Sequence, residues 1–501
     1  MNFFINVDLS NAGSGIEHSE IKRLRLFQKF NQPAKIVTTY YRNNWAAGPG
    51  KFGVQLDEVI NIFDYFGQNE NDFYQRNTID DYCQRRHFTQ QRFLGQDKDE
   101  LGYLVYTNNG QQALVRVYAS NLQVSSIAFA PIGSQTPVYG EAFDGRGFLS
   151  AKYYYDQNGH VKKQEILNTH GETFCTQVFK DDKHVALYKL RFRGKKYTFR
   201  DLRDFQALFF DSLNRDYGEH NLFISDRYEC TEALTHMQTI ARKAVYIHNQ
   251  FGGDPRKSPL TGGLNFNYRF ALEHPDLFDW LICPSKWEAQ ELNQRFNIAD
   301  KLAAIPGGAA QTDYPHVPLA KRDRYQIMMV ARISAEKQIP QAIEILKQVR
   351  RQVPEAHLDI YGGVTETKEY DKVKSLIGTN NLRHAVKLRG IIPDLNPEYD
   401  QAGLLLLTSI TEGFPLTFLE SISHGVPLVA YDCRYGPRDL IQDEYNGYLI
   451  QQDDQTAAAA KIIQIMTDEH LQQSLSEGAY QSAKGYDEEH IWQLWQPLIK
   501  K

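Results

Sequence analysis

Two apolar runs in the second half of the chain set the pattern. Leu404–Leu407 is a short apolar stretch ending in Thr408 and Ser409, which suits a buried parallel strand. Gly413 breaks the run, Pro415 suits the first residue of a helix, and Gly425 suits its stop. Upstream, Tyr325–Ala331 reads as another buried strand with Ile-Met-Met-Val at its centre. A helix follows, with Pro340 in its first turn and Ile343, Leu346 and Val349 along one face. The N-terminus repeats the theme. Phe3–Leu9 predicts a strand, Asn11–Ile16 a glycine-bearing loop, and Ile21, Leu24 and Phe27 a helix, before a second strand at Lys35–Tyr41.

The middle of the chain changes period. Residues 58–80 read as a short, polar, aromatic-flecked helical stretch, and residues 100–195 as hairpins. Leu101–Tyr106 and Ala113–Tyr118 flank Asn108-Asn109-Gly110, and Ala151–Tyr155 and Val161–Leu167 flank a turn ending in Asn158-Gly159. This predicts an antiparallel β meander inserted into an α/β domain. Lys189–Arg200 carries six basic residues and no acid, which fits either a solvated strand and hinge or a track for a polyanionic acceptor. The α/β pattern then resumes. Tyr197–Leu213 predicts an amphipathic helix, Asn221–Asp226, Ala244–His248, Trp280–Cys283 and Leu302–Ile305 predict strands, and Ser285 with Glu288 a capping box. The glycine-rich stretch 250–264 reads as a mobile acceptor lid.

Doubly wound α/β sheets bind ligands at the carboxyl ends of their strands. Glu412 and Glu420 fall there, and carboxylates accept hydrogen bonds from sugar or ribose hydroxyls. A helix N-terminus at Gly413-Phe414 offers free N–H groups to a phosphate. Arg332 and Lys337 lie on the same rim, and two fixed cations suit a diphosphate. His248 ends a strand on the crevice side, where a satisfied rim histidine is the plain alternative.

The order R-x4-K, Asp359-Ile-Tyr-Gly-Gly363 and E-x7-E within one α/β half resembles the donor half of retaining GT-B glycosyltransferases. The resemblance implies two Rossmann-like domains facing a cleft, with a UDP-sugar as donor substrate and no metal cofactor. Arg332 and Lys337 would neutralise the diphosphate, Glu412 and His248 would contact the donor sugar, and Glu420 would hold the ribose. Gly15 would let backbone approach the diphosphate. The acceptor hydroxyl would attack on the leaving-group face. The stretch at 429–450 and the β insertion look like the bacterial poly(glycerol-phosphate) and poly(ribitol-phosphate) α-glycosyltransferases of wall teichoic acid. They also look like relatives that glycosylate Ser-rich surface proteins, and the opening Ser14–Phe27 favours that branch. Inactive chaperone subunits and sugar phosphorylases share the fold and stay open as alternatives.

The implied domains are 1–57 and 196–312 for the first Rossmann-like half, with the β-rich insertion at 58–195 between them. The nucleotide-sugar domain takes 313–480, and 481–501 is a final helix crossing back to the first half. Composition adds bounds. The 501 residues are 42% hydrophobic and 23% charged, with a net charge of −5, so nothing global points to nucleic acid. No apolar run is long enough to span a bilayer. The first ten residues lack the basic and apolar regions of a signal peptide. Five scattered cysteines without a C-x-x-C favour reduced thiols and a cytoplasmic chain, at the inner face of the membrane if peripheral contacts exist. In some of the resembled relatives the insertion mediates oligomers, so the resemblance leaves room for a homo-oligomer here through the inserted domain.

Overall fold

The computed structural model describes residues 1–9, 14–88, 90–97, 100–106, 111–181 and 184–500. By internal contacts the chain divides into two compact units, Met1–Leu24 with Asn31–Lys243, and Arg25–Phe30 with Ala244–Lys501.

The first unit joins an α/β layer to a large antiparallel sheet. Its parallel strands run in the order Leu222–Ser225, Asn2–Asn6, Ala34–Thr38, Val59–Asn61. Asn2–Asn6 is buried along its whole length, as a strand covered on both faces must be. The inserted sheet has ten strands in strict chain order, from Gln90–Asp97 at one edge to Lys195–Phe199 at the other. The turn after Leu149–Tyr155 closes as its residues predict: Gly159 takes φ +83° and its N–H donates to the Asp156 carbonyl at 3.0 Å. The expected Asn108-Asn109-Gly110 turn lies outside the described residues.

Two predicted stretches are wrong in kind. The helical stretch expected at 58–80 opens instead with the strand Val59–Asn61, which joins the parallel sheet through Ala34–Thr38. Lys195–Phe199 is the inserted sheet's last strand, and the helix expected from Tyr197 begins only at Leu202 and runs to Asp216. Asp201 caps it, its carboxylate accepting the Arg203 N–H at 2.9 Å. Phe205, Phe209 and Leu213 face the core as expected.

The second unit contains the parallel strands Leu302–Ala304 and Trp280–Cys283, and residues 244–246 of the strand Arg242–Tyr246 pair with the latter. It also holds a six-stranded sheet in the order Val386–Gly390, His357–Tyr361, Asp323–Val330, Ala402–Leu407, Leu428–Tyr431, Gly447–Ile450. The helix Ile339–Val349 buries Ile343, Leu346 and Val349 against Ile327, Leu358 and Leu404. Trp492 of the final helix Glu488–Lys500 stacks on Phe30, centroids 4.8 Å apart. Among the described residues no helix is long and apolar enough to cross a membrane.

Candidate donor site

Asp323–Val330 and Ala402–Leu407 are adjacent and parallel, so the loops leaving their carboxyl ends are neighbours. These are the loops that carry Arg332, Lys337 and Glu412. The first loop keeps pairing beyond its strand, with Ala331 N–H donating to Tyr361 O and Ile333 N–H to Gly363 O, both at 2.8 Å. Gly362 makes this possible. Its φ is +144°, and a Cβ there would sit 2.1 Å from the Ala331 carbonyl oxygen. The paired glycines of Asp359–Gly363 thus seat the start of the Arg332 loop. Arg332 itself is exposed, and among the described residues it makes no ion pair.

Lys337 ends a 3₁₀ turn, Ala335–Lys337. Its ammonium lies 2.8 Å from Glu412 Oε1 and 3.0 Å from Glu336 Oε1. Burial pulls its pKa down, but the two carboxylates outweigh burial and hold it above the ordinary lysine value. The loops are also stitched through their backbones. Thr408 Oγ1 donates to Lys337 O at 2.9 Å, and Ile410 N–H to Glu336 O at 2.9 Å.

Glu412 accepts a second bond on the same oxygen, from Ser409 Oγ at 2.6 Å. Its N–H donates to Arg434 O at 2.7 Å, and Thr411 Oγ1 donates to that same carbonyl at 2.6 Å. Arg434 is held in turn by Glu291, Nε to Oε2 at 3.2 Å, and Tyr435 Oη donates to the same carboxylate. Nothing in the local sequence marks Glu291, Arg434 or Tyr435 as supports of Glu412, because Glu291 and Arg434 are 143 residues apart.

Gly413 brings the His248 strand end to the same place. A Cβ at Gly413 would lie 1.9 Å from the His248 carbonyl oxygen. Gly436, at φ +98°, closes against Phe414 and Pro415 from the other side, with a Cβ only 2.6 Å from the proline ring. His248 lies two residues beyond Arg242–Tyr246. Its ring stacks on Tyr246 at 4.3 Å, and its N–H donates to Tyr268 Oη at 3.0 Å. The expected lid folds on itself, with Gly253 N–H donating to Gly263 O at 2.8 Å. Arg256 in that stretch pairs with Asp453 at 2.9 Å.

Pro415 sits one position earlier than its sequence suggests. It caps the helix Leu416–Ser423 in extended backbone, φ −72° and ψ 102°. Phe414 is half-buried, its ring 6.3 Å from that of Tyr486. Glu420 Oε2 accepts from Tyr399 Oη at 3.1 Å, and Tyr399 is fully buried. Burial and the Glu420 charge both push the Tyr399 phenol well above its ordinary pKa, so it stays a donor.

Gly15 belongs to the first unit, where it opens the helix Gly15–Lys29. A Cβ there would meet nothing within 4 Å. Beside it, Glu17 Oε2 accepts from Ser14 N–H at 2.8 Å and from Ser14 Oγ at 2.5 Å. Burial raises the Glu17 pKa, but Ser14 and Arg227 outweigh it and hold the carboxyl below its usual range. Residues 10–13 of the expected loop lie outside the described residues.

The capping box expected at Ser285 is only half formed. Ser285 Oγ accepts the Glu288 N–H at 3.3 Å. The Glu288 carboxylate instead turns inward and is fully buried, with neither oxygen in normal hydrogen-bond geometry.

Residues 311–482 match the family described as Glycosyl transferases group 1. The chain is 25% identical to the UDP-N-acetylglucosamine–peptide N-acetylglucosaminyltransferase GtfA subunit of Streptococcus gordonii, over 99% of this chain and 98% of that protein. It is 23% identical to the poly(glycerol-phosphate) alpha-glucosyltransferase of Bacillus subtilis (strain 168), over 98% of this chain and 74% of that protein. The crystal structure of the pneumococcal O-GlcNAc transferase GtfA in complex with UDP and GlcNAc aligns with a TM-score of 0.85 at 21% identity. That alignment covers 99% of this chain and 98% of the other. The chain therefore carries a glycosyltransferase domain on a GT-B fold with an antiparallel sheet inserted, as its motifs imply.

Proposed function

We propose that the chain is a retaining hexosyltransferase that moves glucose or N-acetylglucosamine from a UDP-sugar to a hydroxyl of a polyol-phosphate acceptor of the wall teichoic acid type. One observation carries the donor half. Lys337 and Glu412 meet at 2.8 Å beyond the ends of adjacent parallel strands, on the rim that also exposes Arg332. In this reading Arg332 and Lys337 bind the diphosphate, together with the N–H groups that open the helix Leu416–Ser423. Glu412, His248 and the backbone of Gly413 and Phe414 hold the sugar, and Glu420 the ribose. Gly15, open where a side chain would be, suits backbone contact with a phosphate.

The acceptor oxygen attacks the anomeric carbon on the face that UDP leaves. The new C–O bond forms as the bond to the β-phosphate oxygen breaks, and the hydroxyl proton passes to a diphosphate oxygen. The two cations take up the charge that develops on UDP, so the reading calls on no metal and no protein nucleophile.

The acceptor half rests on the likeness to the Bacillus subtilis enzyme across 98% of this chain. A second reading, O-glycosylation of Ser-rich surface proteins, is favoured by the Streptococcus gordonii relative and the pneumococcal structure. Either reaction uses a cytoplasmic donor, at the inner face of the membrane. The inserted sheet is the proposed oligomer interface, because its edge strand Gln90–Asp97 exposes Phe93 and Leu94.

Mass spectrometry of products tests this. UDP-glucose and UDP-N-acetylglucosamine are each offered with poly(glycerol phosphate) and with a Ser-rich peptide. Sugar on the polymer is expected. Sugar on the peptide alone moves the chain to the second reading, and UDP release with neither acceptor overturns the transfer assignment.

A further inference from the structure

The basic run Lys189–Arg200 plays no part in the donor site. It forms the outer hairpin of the ten-stranded sheet, where Val185–Phe192 pairs with Lys195–Phe199. Alternation along the first strand buries Tyr188, Leu190 and Phe192 and leaves Lys189 and Arg191 exposed. Register then sets Arg191 directly opposite Lys196, and Lys189 opposite Thr198 on one side and Thr176 on the other. Arg200, just past the second strand, is exposed as well, whereas Lys195 is exposed but lies opposite buried Phe192, on the other face.

Of the six cations, Arg193 pairs with Asp216, Nη1 to Oδ1 at 2.9 Å. Among the described residues the other five have no ion pair, although the whole chain has a net charge of −5. Glu165, two strands in on the same face, is already taken by Lys163 and Tyr154, each at 2.9 Å. Like charges directly opposite on a strand pair destabilise it. Folding gains nothing from Arg191 facing Lys196, whereas an anion lying across both gains from each.

Outward residues two apart on a strand are about 7 Å apart, and cross-strand partners about 5 Å. The patch therefore presents cations at several points along and across the hairpin, which suits a chain of phosphodiesters better than a single phosphate. The outward neighbours of Lys189 are the hydroxyls of Thr176 and Thr198, further donors to phosphate oxygens.

We propose that this hairpin face is the docking surface for the anionic backbone of the acceptor polymer, with poly(glycerol phosphate) as its ligand. The inference rests on the polyol-phosphate reading above. Binding of this kind depends on charge and on salt, and not on the sugar transferred.

The test uses the full chain and measures KM for long poly(glycerol phosphate) over a salt series. Arg191→Glu with Lys196→Glu should raise that KM on the order of tenfold at low salt and flatten its salt dependence. Lys368→Glu with Lys374→Glu, the same charge change on the helix Thr367–Thr379, should leave the KM at the wild-type value. Lys196→Gln separates binding from folding. It removes the repulsion with Arg191, so it should hold or raise Tm while still raising KM. An unchanged KM in the hairpin variants, with wild-type transfer to polymer intact, overturns the docking surface and leaves the acceptor reading standing. If the wild type modifies the peptide and not the polymer, both fall. If the hairpin variants lose binding to phosphatidylglycerol vesicles while the polymer KM holds, the face is a membrane contact and the proposal is overturned.

Discussion

Lys337 and Glu412 are 75 residues apart in the chain and 2.8 Å apart in space, Nζ to Oε1. The ammonium is largely buried, and burial alone would favour its neutral form. Glu412 and Glu336 reverse that preference. A lysine whose folded pKa is raised contributes its full stability below the unfolded value of 10.5 and loses it only as pH climbs through the higher folded value. Lys337 is therefore a fixed cation at every working pH, and a pH–rate profile should show no limb from it below about pH 10. A donor diphosphate has to share this cation with Glu412.

The two basic residues of the rim should separate in their effects on folding. Lys337→Ala strands Glu412, which is mostly shielded from water, and leaves the more exposed Glu336 unpaired, so unfolding free energy should fall by about 1–3 kcal/mol. Arg332 is exposed and unpaired among the described residues, so Arg332→Ala should leave Tm unchanged. Both variants should lose turnover by about 10²–10³-fold. Calorimetry beside a UDP-release assay checks both halves.

Gly413 and Gly15 make a contrasting pair. Gly413→Ala drives a methyl to within 1.9 Å of a backbone oxygen, so the loop carrying Glu412 has to move. Tm should fall by several degrees and turnover should be lost together with it. Gly15→Ala meets open space and should not lower Tm. A loss of turnover in that folded variant would place the Gly15 backbone against the donor, and full activity would release Gly15 from the site.

Glu420 has a buried partner in Tyr399 and is assigned the ribose. Glu420→Gln keeps the size and an acceptor oxygen but loses the charge. KM for the UDP-sugar should rise about tenfold with kcat changed less. Competition between UDP and 2′-deoxy-UDP or 3′-deoxy-UDP checks the contact, because the variant should discriminate less between them.

Glu288 supplies a pH signature. Its burial, opposed only in part by the Phe251 backbone and aided by the Glu291 and Asp439 charges, raises its pKa well above the usual carboxylate value. An acid raised in this way costs nothing below the unfolded pKa of 4.5, where both states are protonated. The cost grows as pH rises above that value, because only the unfolded chain ionises. Glu288→Gln should raise Tm by roughly 2–4 °C at pH 7–8 and by less at pH 5. An equal shift at both values would mean that the carboxyl is not held neutral.

The strands and helices around the donor site were legible because their patterns are local. Leu404–Leu407 has no polar interruption, and Ile343, Leu346 and Val349 keep helical spacing. The glycine pair of Asp359–Gly363 was readable as part of a motif, but its reason was not. The contact of Gly362 with the Ala331 carbonyl comes from a neighbouring strand. Phe199, Leu202 and Phe205 keep a spacing of three, which extends the helical pattern back over Tyr197–Phe199. The boundary is set by the Asp201 cap and by pairing with Val185–Phe192, and the second of these is tertiary. The Ser285 box failed for a similar reason, since the Glu288 side chain faces the core and not the helix end. Support of Glu412 through Glu291 and Arg434 leaves no trace in either segment alone.

The hairpin at Lys189–Arg200 also separates the sum of the protein's charges from their moment. The sequence pI is about 6.3, so at neutral pH the molecule as a whole should be retained by an anion exchanger. The same molecule carries, on one short edge of a sheet, five cations that have no ion pair among the described residues. It should therefore also be retained on phosphocellulose at low salt, edge first, and elute early in a salt gradient. A protein that binds both column types has a large electric dipole, and near a polyanion that dipole turns the molecule before any specific contact is made.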